Sequence, residues 1–591
     1  MASKPSLLVA AIDFGTTYSG WAFSFKHEYD TDPTRIIAKQ WFGGPLVSMK
    51  APTTVLIKPD GRTFDSFGYD AESKYSELAS DDNNEHKRWY YFRRFKMMLH
   101  GKLGLDRNID LEDETQKSLP AKTVFSLTIR YLKEDMLKNS KDKLSSGHLI
   151  EDEITWVLTV PAIWTDAAKQ FMREAAIEAG IRTENLRIAL EPETASIFCR
   201  LLPVEKMVEG GGITSLKPGS IYMVLDAGVI DLNASSIGGT IDITVHEVLS
   251  DGKLKELQKA SGGAWGGTQV DEAYKQFLIS LVGNPVFQRF QLEKKEDYLD
   301  MFRDFEVKKR DIVPDNDNKV TIRLPSSLRE IFEDESGEDL RTAILQTRYA
   351  NEMSFTGDKL RINASVIKRL FSNAIESTVS HVKELMKERT VHGLSSILMV
   401  GGFSESKMLQ HAIRSNFPNV KVIIPHEAGL VVLKGAVVFG HVPSSVAQRV
   451  CKYTYGVGTT LPFDNENHDI TKRIECEDGP RCDDIFDKYV EIGQTIALNE
   501  ATKEKMYVPT TENQSSVGFS IYASTQKSPK YVTDNGCMKL GYVLINILDK
   551  SVPRDQRSFL FSMTFGGTEI EVAAKEKRTG NATKATVDFL G

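Results

Sequence analysis

The stretch at residues 7–25, LLVAAIDFGTTYSGWAFSF, constrains the fold more than any other part of the chain. The apolar run from Leu7 to Ile12 reads as a buried strand, Gly15 permits a tight turn, and Ser19 to Phe25 returns as a second strand rich in aromatics. The tip of this hairpin is Asp13-Phe14-Gly15-Thr16-Thr17-Tyr18. Gly15 lets backbone come close to a ligand, Thr16 and Thr17 offer phosphate-sized donors, and Asp13 supplies a carboxylate suited to Mg²⁺ through water. No Gly-Lys-Ser/Thr follows, so the motif is not a P-loop. Taken alone, such a tip is equally an ordinary turn with a capping aspartate.

The pattern recurs about 210 residues further on. Ile221 to Leu225 is a buried strand that delivers Asp226-Ala227-Gly228, and Gly238-Gly239-Thr240 opens an alternating strand over residues 241–248. This internal repeat points to two related lobes facing one ligand. Between the copies, Lys96 sits among aromatics and two arginines, a pattern that also fits a solvated basic face. Helices are expected over residues 123–137 and 166–179, and strands over 154–160 and 186–190. The last of these strands ends at Glu191, a carboxylate just before a helix, where α/β folds put chemistry and where a plain helix cap also fits. Beyond the repeat, residues 261–268 form a third glycine-rich turn with Gly266 and Gly267, and Lys308-Lys309-Arg310 is a basic run. A long helix is expected over about 365–387. Residues 395–406 read as strand, Gly401-Gly402 turn and helix start at Ser404, which lets a flat ring lie on bare backbone and which a plain tight strand-to-helix connection fits as well.

The chain has 591 residues, too many for one core, and its grammar changes near Pro443 to short alternating strands. With 74 basic against 81 acidic residues the net charge is −7, which favours neither nucleic acid nor an anionic membrane as partner. Five scattered cysteines fit a reducing compartment, and no apolar run nears the roughly 20 residues that span a bilayer. The short apolar start runs straight into the Asp13 motif, so a cleaved leader would destroy it, and a cytoplasmic location is expected.

Together these stretches resemble the seventy-kilodalton heat-shock chaperone family of the actin-like ATPase superfamily. The divergent heat shock 70 kDa protein 12 branch is the nearest in look, through Trp21-Ala22-Phe23 and Phe95-Lys96-Met97. The resemblance implies an α/β, two-lobed actin-like (ribonuclease-H-like) ATPase domain over 1–445, then a β-sandwich domain over 446–591 like the chaperone substrate-binding module, with its helical lid absent. It implies ATP or ADP and Mg²⁺ as ligands, a chaperone role in the stress response, and client proteins or peptides bound by the β domain. The implied activity is hydrolysis of ATP to ADP and phosphate; the alternative is a nucleotide-binding scaffold with little turnover.

Residue by residue, Asp13, Gly15, Thr16, Thr17 and Tyr18 match the first phosphate loop, and Asp226, Gly228, Gly238, Gly239 and Thr240 the second. Gly401, Gly402 and Ser404 match the adenosine loop, Lys309 and Arg310 the residues that sandwich adenine, and Gly266-Gly267 a nucleotide-facing turn. Lys96 falls where the family orients the attacking water; Asp13, Glu191 and Asp226 fall where it holds Mg²⁺ through water. Two departures stand out. The family's acidic-leucine linker is replaced by residues 445–454, SVAQRVCKYT, and residues 229–237, VIDLNASSI, are inserted between two glycines of the second phosphate loop. Three readings of the segment stand open: a gene-model or splicing error, a natural isoform with altered nucleotide handling, or a loop that bulges into solvent.

Overall fold

The computed structural model describes residues 6–43, 46–80, 84–100, 105–141, 150–203, 207–209, 216–228, 239–547, 552–566 and 568–590. It is a mixed α/β structure with sheets throughout. The first large sheet has the order Leu186–Leu190, Ile154–Val160, Leu8–Asp13, Tyr18–Phe25, Ile37–Ala38. Leu8–Asp13 runs parallel to Ile154–Val160 and pairs antiparallel with Tyr18–Phe25, from Leu8↔Phe25 to Asp13↔Gly20. Covered on both faces, this strand is buried at every position, which is why it reads as a continuous apolar run rather than an alternating one. Its direction delivers Asp13 to the same sheet edge as Glu191, which follows Leu190 directly.

The second sheet has eight strands. At its centre Ile221–Ala227 runs parallel to Leu394–Val400 and antiparallel to Ile241–Val248, with Asp226 opposite both Val400 and Asp242. Between the two sheets lie the helices Glu191–Cys199 and Val431–His441. They cross so closely at Gly435 that a Cβ there would stand 1.8 Å from the Thr194 carbonyl oxygen.

Most expected elements are present: the strands over 154–160, 186–190 and 241–248 have the expected bounds, and the helix expected over 123–137 runs Ala121–Lys141. The helix Asp166–Glu178 starts at Thr165, whose hydroxyl accepts from the Ala168 amide at 3.2 Å. The helix expected over 365–387 is two, Ala364–Arg369 and Ser372–Leu385. Leu370 and Phe371, at the break, are both buried.

The C-terminal region holds a five-stranded and a four-stranded antiparallel sheet that share one core, including Val457, Phe519, Ile545, Phe561 and Val572. The stretch in place of the acidic-leucine linker is itself ordered: Val446–Val450 joins the second large sheet beside Leu254–Gly263, and Thr495–Ala497 pairs with its other edge. Arg449 fixes it there, donating to both Glu193 carboxylate oxygens at 2.7 and 2.6 Å, while the Val450 amide donates to Glu256 Oε2 at 2.9 Å. Among the described residues no helix is long and apolar enough to cross a membrane.

Candidate functional site

Where the carboxyl edges of the two large sheets face each other, a cleft of about 570 Å³ opens. Its walls bring together Asp13, Gly15, Thr16, Thr17 and Tyr18 of the first hairpin, Lys96, Glu191, then Asp226, Gly228, Gly239 and Thr240 of the second hairpin, and Gly401 and Gly402. Gly238 and the insertion at 229–237 lie outside the described residues. The two stumps are held: the Gly228 amide donates to the Thr240 carbonyl at 2.9 Å, and the Gly266 amide to the Gly239 carbonyl at 2.9 Å. Gly401 has φ +80°, and a Cβ there would lie 2.3 Å from the Ala227 carbonyl oxygen and 2.4 Å from Asp226 Oδ1, so only glycine fits this turn.

The other expected residues stand behind the wall. Gly266 and Gly267 precede the helix Thr268–Val282 and buttress the second hairpin through the Gly239 contact. Ser404 is buried beneath the turn, its hydroxyl donating to the Val400 carbonyl at 2.6 Å. Lys309 is buried and bound to Asp271 at 2.7 Å and to Glu306. Arg310 is bound to Glu306 at 2.8 Å and remains more than half exposed, near Tyr18 and the Glu405 carboxylate.

The chemistry of the cleft is set by carboxylates. Lys50 donates to Asp13 Oδ2 at 2.5 Å and Thr159 to its Oδ1 at 2.8 Å. Burial opposes ionisation of Asp13, but Lys50, Lys96 and Thr159 outweigh it and hold the carboxyl below the usual range. Lys96, 1% exposed, donates to Glu191 Oε1 at 2.8 Å and lies over the Trp164 ring at 5.0 Å. Burial raises Glu191, and the Asp13 charge adds to it. Burial, then Glu191, Asp242 and Asp13, drive Asp226 well above the ordinary carboxylate value. Burial pushes Asp242 up to about 7 despite Lys452 and the Ile163 amide, which donates to its Oδ2 at 3.1 Å. Its Oδ1 is buried without a partner among the described residues.

Three carboxyls, Asp13, Glu191 and Asp226, thus share the cleft wall with two ammoniums, Lys50 and Lys96, and Asp242 lies buried nearby within the influence of Lys452. Raised acids and an orphaned buried oxygen fit the missing charge of a divalent cation. Among the described residues no three His, Cys, Asp or Glu side chains converge as direct ligands, so such an ion fits here through water. The bare backbone at Gly228, Gly239, Gly401 and Gly402, with the Thr16 and Thr17 donors, suits a phosphate chain and a flat ring.

Three contributors were not singled out from sequence. Asp242 had a signal: with Thr244 and His246 it makes an inward polar face at period 2 on Ile241–Val248, unusual for a buried strand. Lys50 and Thr159 had none, since both reach Asp13 only through sheet pairing.

No protein-family model matches the chain. It is 35% identical over 630 aligned residues to Heat shock 70 kDa protein 12A of Homo sapiens, covering 99% of this chain and 92% of that protein. The Mus musculus protein of the same name gives the same figures, and Heat shock 70 kDa protein 12B of Homo sapiens is 33% identical, covering 99% and 91%. With such identity along nearly its whole length, the chain belongs to the heat shock 70 kDa protein 12 family, the divergent branch of the seventy-kilodalton heat-shock proteins.

Proposed function

We propose that the chain is an ATP-operated, chaperone-like protein of the cytoplasm: a two-lobed actin-like ATPase over residues 1–445 followed by a β-sandwich module over 446–591 that takes client peptides. The observation that carries the reading is the convergence of Asp13 and Asp226, from two hairpins of related sequence, on one cleft with the Lys96–Glu191 pair.

Asp13, Glu191 and Asp226 are the residues to hold Mg²⁺ through water, and the bound ion would supply neutralising charge on the phosphates. Backbone amides at the two hairpin tips bind the phosphate chain and fix it in line. Lys96, oriented by Glu191 and Trp164, meets charge developing on the terminal phosphoryl group and the attacking water. Arg310, exposed beside Tyr18, is suited to cover the base.

The C-terminal sheets present a groove of about 1250 Å³ whose walls mix Leu461, Met506, Val508 and Phe519 with Arg481, Asp483, Asp484 and Asp487, a surface on which an extended peptide can set both apolar and polar side chains. The second reading, a nucleotide-binding scaffold with little turnover, draws on the nine residues inserted at 229–237. One preparation of full-length protein decides between them by calorimetric ATP titration and by phosphate release. Binding with turnover supports the ATPase, binding alone the scaffold, and no binding overturns both. Labelled apolar peptide that fails to bind at high micromolar concentration would overturn the client role.

A further inference from the structure

Lys50 has no counterpart among the residues that the family resemblance assigned, yet it lines the cleft. With Lys96 it is one of two basic side chains on the wall among the described residues. The fold spends several contacts on putting it there. Ala51–Pro52, directly after it, pairs with the return strand of the first hairpin, Ser19↔Ala51 and Tyr18↔Pro52. Thr53 continues the attachment: its amide donates to the Thr17 carbonyl at 2.7 Å and its hydroxyl to the Gly15 carbonyl at 2.8 Å. Gly20 leaves room for the lysine stem, since a Cβ there would stand 3.1 Å from Lys50 Cγ and 3.1 Å from the Met49 carbonyl oxygen. The ammonium therefore arrives at Asp13, on the same cleft wall as Thr16 and Thr17, from a backbone locked to that loop.

The two lysines differ in freedom. Lys96 is 1% exposed, bound to Glu191 and seated on Trp164. Lys50 keeps 15% of its side-chain surface; among the described residues its one ion-pair partner is Asp13, with Glu191 and Asp226 near enough to feel its charge. A lysine is a compact point charge with rotatable donors on a flexible stem, so it can pass from a carboxylate to a phosphate oxygen without moving the backbone. Asp13 would stay hydrogen-bonded by Thr159 when this happens.

We propose that Lys50 is a phosphate-binding cation of this cleft, and that it lets the protein hold the phosphate chain of ATP or ADP when Mg²⁺ is absent. The proposal rests on the nucleotide-binding reading above and adds a tethered positive charge next to the phosphates. A polyphosphate stripped of its metal carries up to four negative charges into a site already rich in carboxylates, and Lys50 offsets that repulsion. Adenosine carries no such charge and gains nothing from Lys50.

The test is calorimetric titration of full-length protein with ATP, ADP and adenosine, each with Mg²⁺ and with EDTA, for wild type, Lys50→Met and Lys50→Arg. Wild type should keep ATP and ADP binding in EDTA. Lys50→Met should lose about tenfold or more there, as expected for a charge-assisted contact, with a smaller loss in Mg²⁺ and unchanged adenosine affinity. Lys50→Arg, which keeps the charge, should recover part of the loss. Adenosine affinity also reports that the methionine variant is folded. Equal ATP affinity of wild type and Lys50→Met in EDTA overturns the proposal, as does a parallel loss for ATP and adenosine, which marks a structural role. Wild type that binds none of the three, with or without metal, overturns the nucleotide reading and this role with it.

Discussion

Arg107 Nη2 donates to both carboxylate oxygens of Asp588 at 2.8 Å, joining residues 481 positions apart. The same guanidinium holds Glu174, and Gln170 binds Asp588 Oδ1 at 2.8 Å and the Phe589 amide at 2.8 Å. Leu590, 4% exposed, sits in the core of the first sheet among residues such as Phe125 and Phe171. The C-terminal sheets are thus strapped to the first sheet at one side, while Val446–Val450 ties them to the second sheet at the other.

That strap supports a first prediction. The Arg107–Asp588 pair is only partly buried and worth about 1 kcal/mol, whereas a buried leucine truncated to alanine costs roughly 2–5 kcal/mol. Leu590→Ala should therefore raise amide hydrogen exchange at residues 587–590 and along Glu569–Glu576, whose Glu569 is paired with Arg173 at 2.5 Å. Arg107→Ala should do so far less. Unchanged exchange in Leu590→Ala would show that the strap does not hold the sheets together.

Lys96→Ala should leave nucleotide affinity close to wild type and lower turnover by roughly 10²-fold, about 2.7 kcal/mol at 1.36 per decade. The cation acts on charge that develops in the transition state, and Glu191 left behind becomes harder to ionise without it. Single-turnover phosphate release set beside calorimetric affinity separates the two effects. Turnover equal to wild type would return Lys96 to a merely structural cation.

How much of this was readable in advance depends on how local each feature is. The strand before Asp13, the turn at Gly15 and the strand before Glu191 are contiguous patterns, and the chain folds them as written. Lys309 carried a readable warning, because Glu306 lies three residues before it on the helix Lys295–Arg310 and an ion pair at that spacing competes with any ligand. Lys50 could not be read, since its meeting with Asp13 depends on Ala51 pairing with Ser19. Nor could the strand at Val446–Val450, whose sequence shows no alternation and which is held by Glu193 and Glu256 from distant elements.

A pH effect follows from the buried acids. Burial pushes Asp242, Glu256 and Asp271 each to about 7, against ordinary values of 3.8, 4.5 and 3.8. Between about 4 and 7 the folded protein then binds more protons than the unfolded chain, so these groups lower stability as pH rises through that window and add no further loss above it. Asp242→Asn keeps an acceptor for the Ile163 amide and removes the ionisation. The variant should melt roughly 1–3 °C above wild type at pH 8 and match it near pH 4 when nucleotide-free. The gain should shrink when Mg²⁺ and ADP are added, because the cation favours the ionised wild-type carboxylate. Equal melting at pH 8 would show that Asp242 is not held raised in the empty cleft.

The final prediction concerns residues 229–237. Joining Gly228 to Gly238 would write Leu-Asp-Ala-Gly-Gly-Gly-Thr-Ile-Asp, an unbroken turn between the strands Ile221–Ala227 and Ile241–Val248. Those strands pair in register up to Ala227↔Ile241, and the Gly228 amide adds one more bond to Thr240 at 2.9 Å, so the hairpin is already closed below the insertion. Its length costs little, about 0.6 kcal/mol per doubling, and the melting temperature should hardly change when the nine residues are deleted. Preorganisation is the sensitive quantity, because donors displaced by about 1 Å can lose roughly 10²-fold in rate. Deletion of 229–237 should therefore tighten ATP binding by about tenfold and raise turnover further, measured by calorimetry and phosphate release on proteins that melt alike. Equal affinity and equal turnover with and without the segment would mean that the phosphate-facing glycines are set by the hairpin alone.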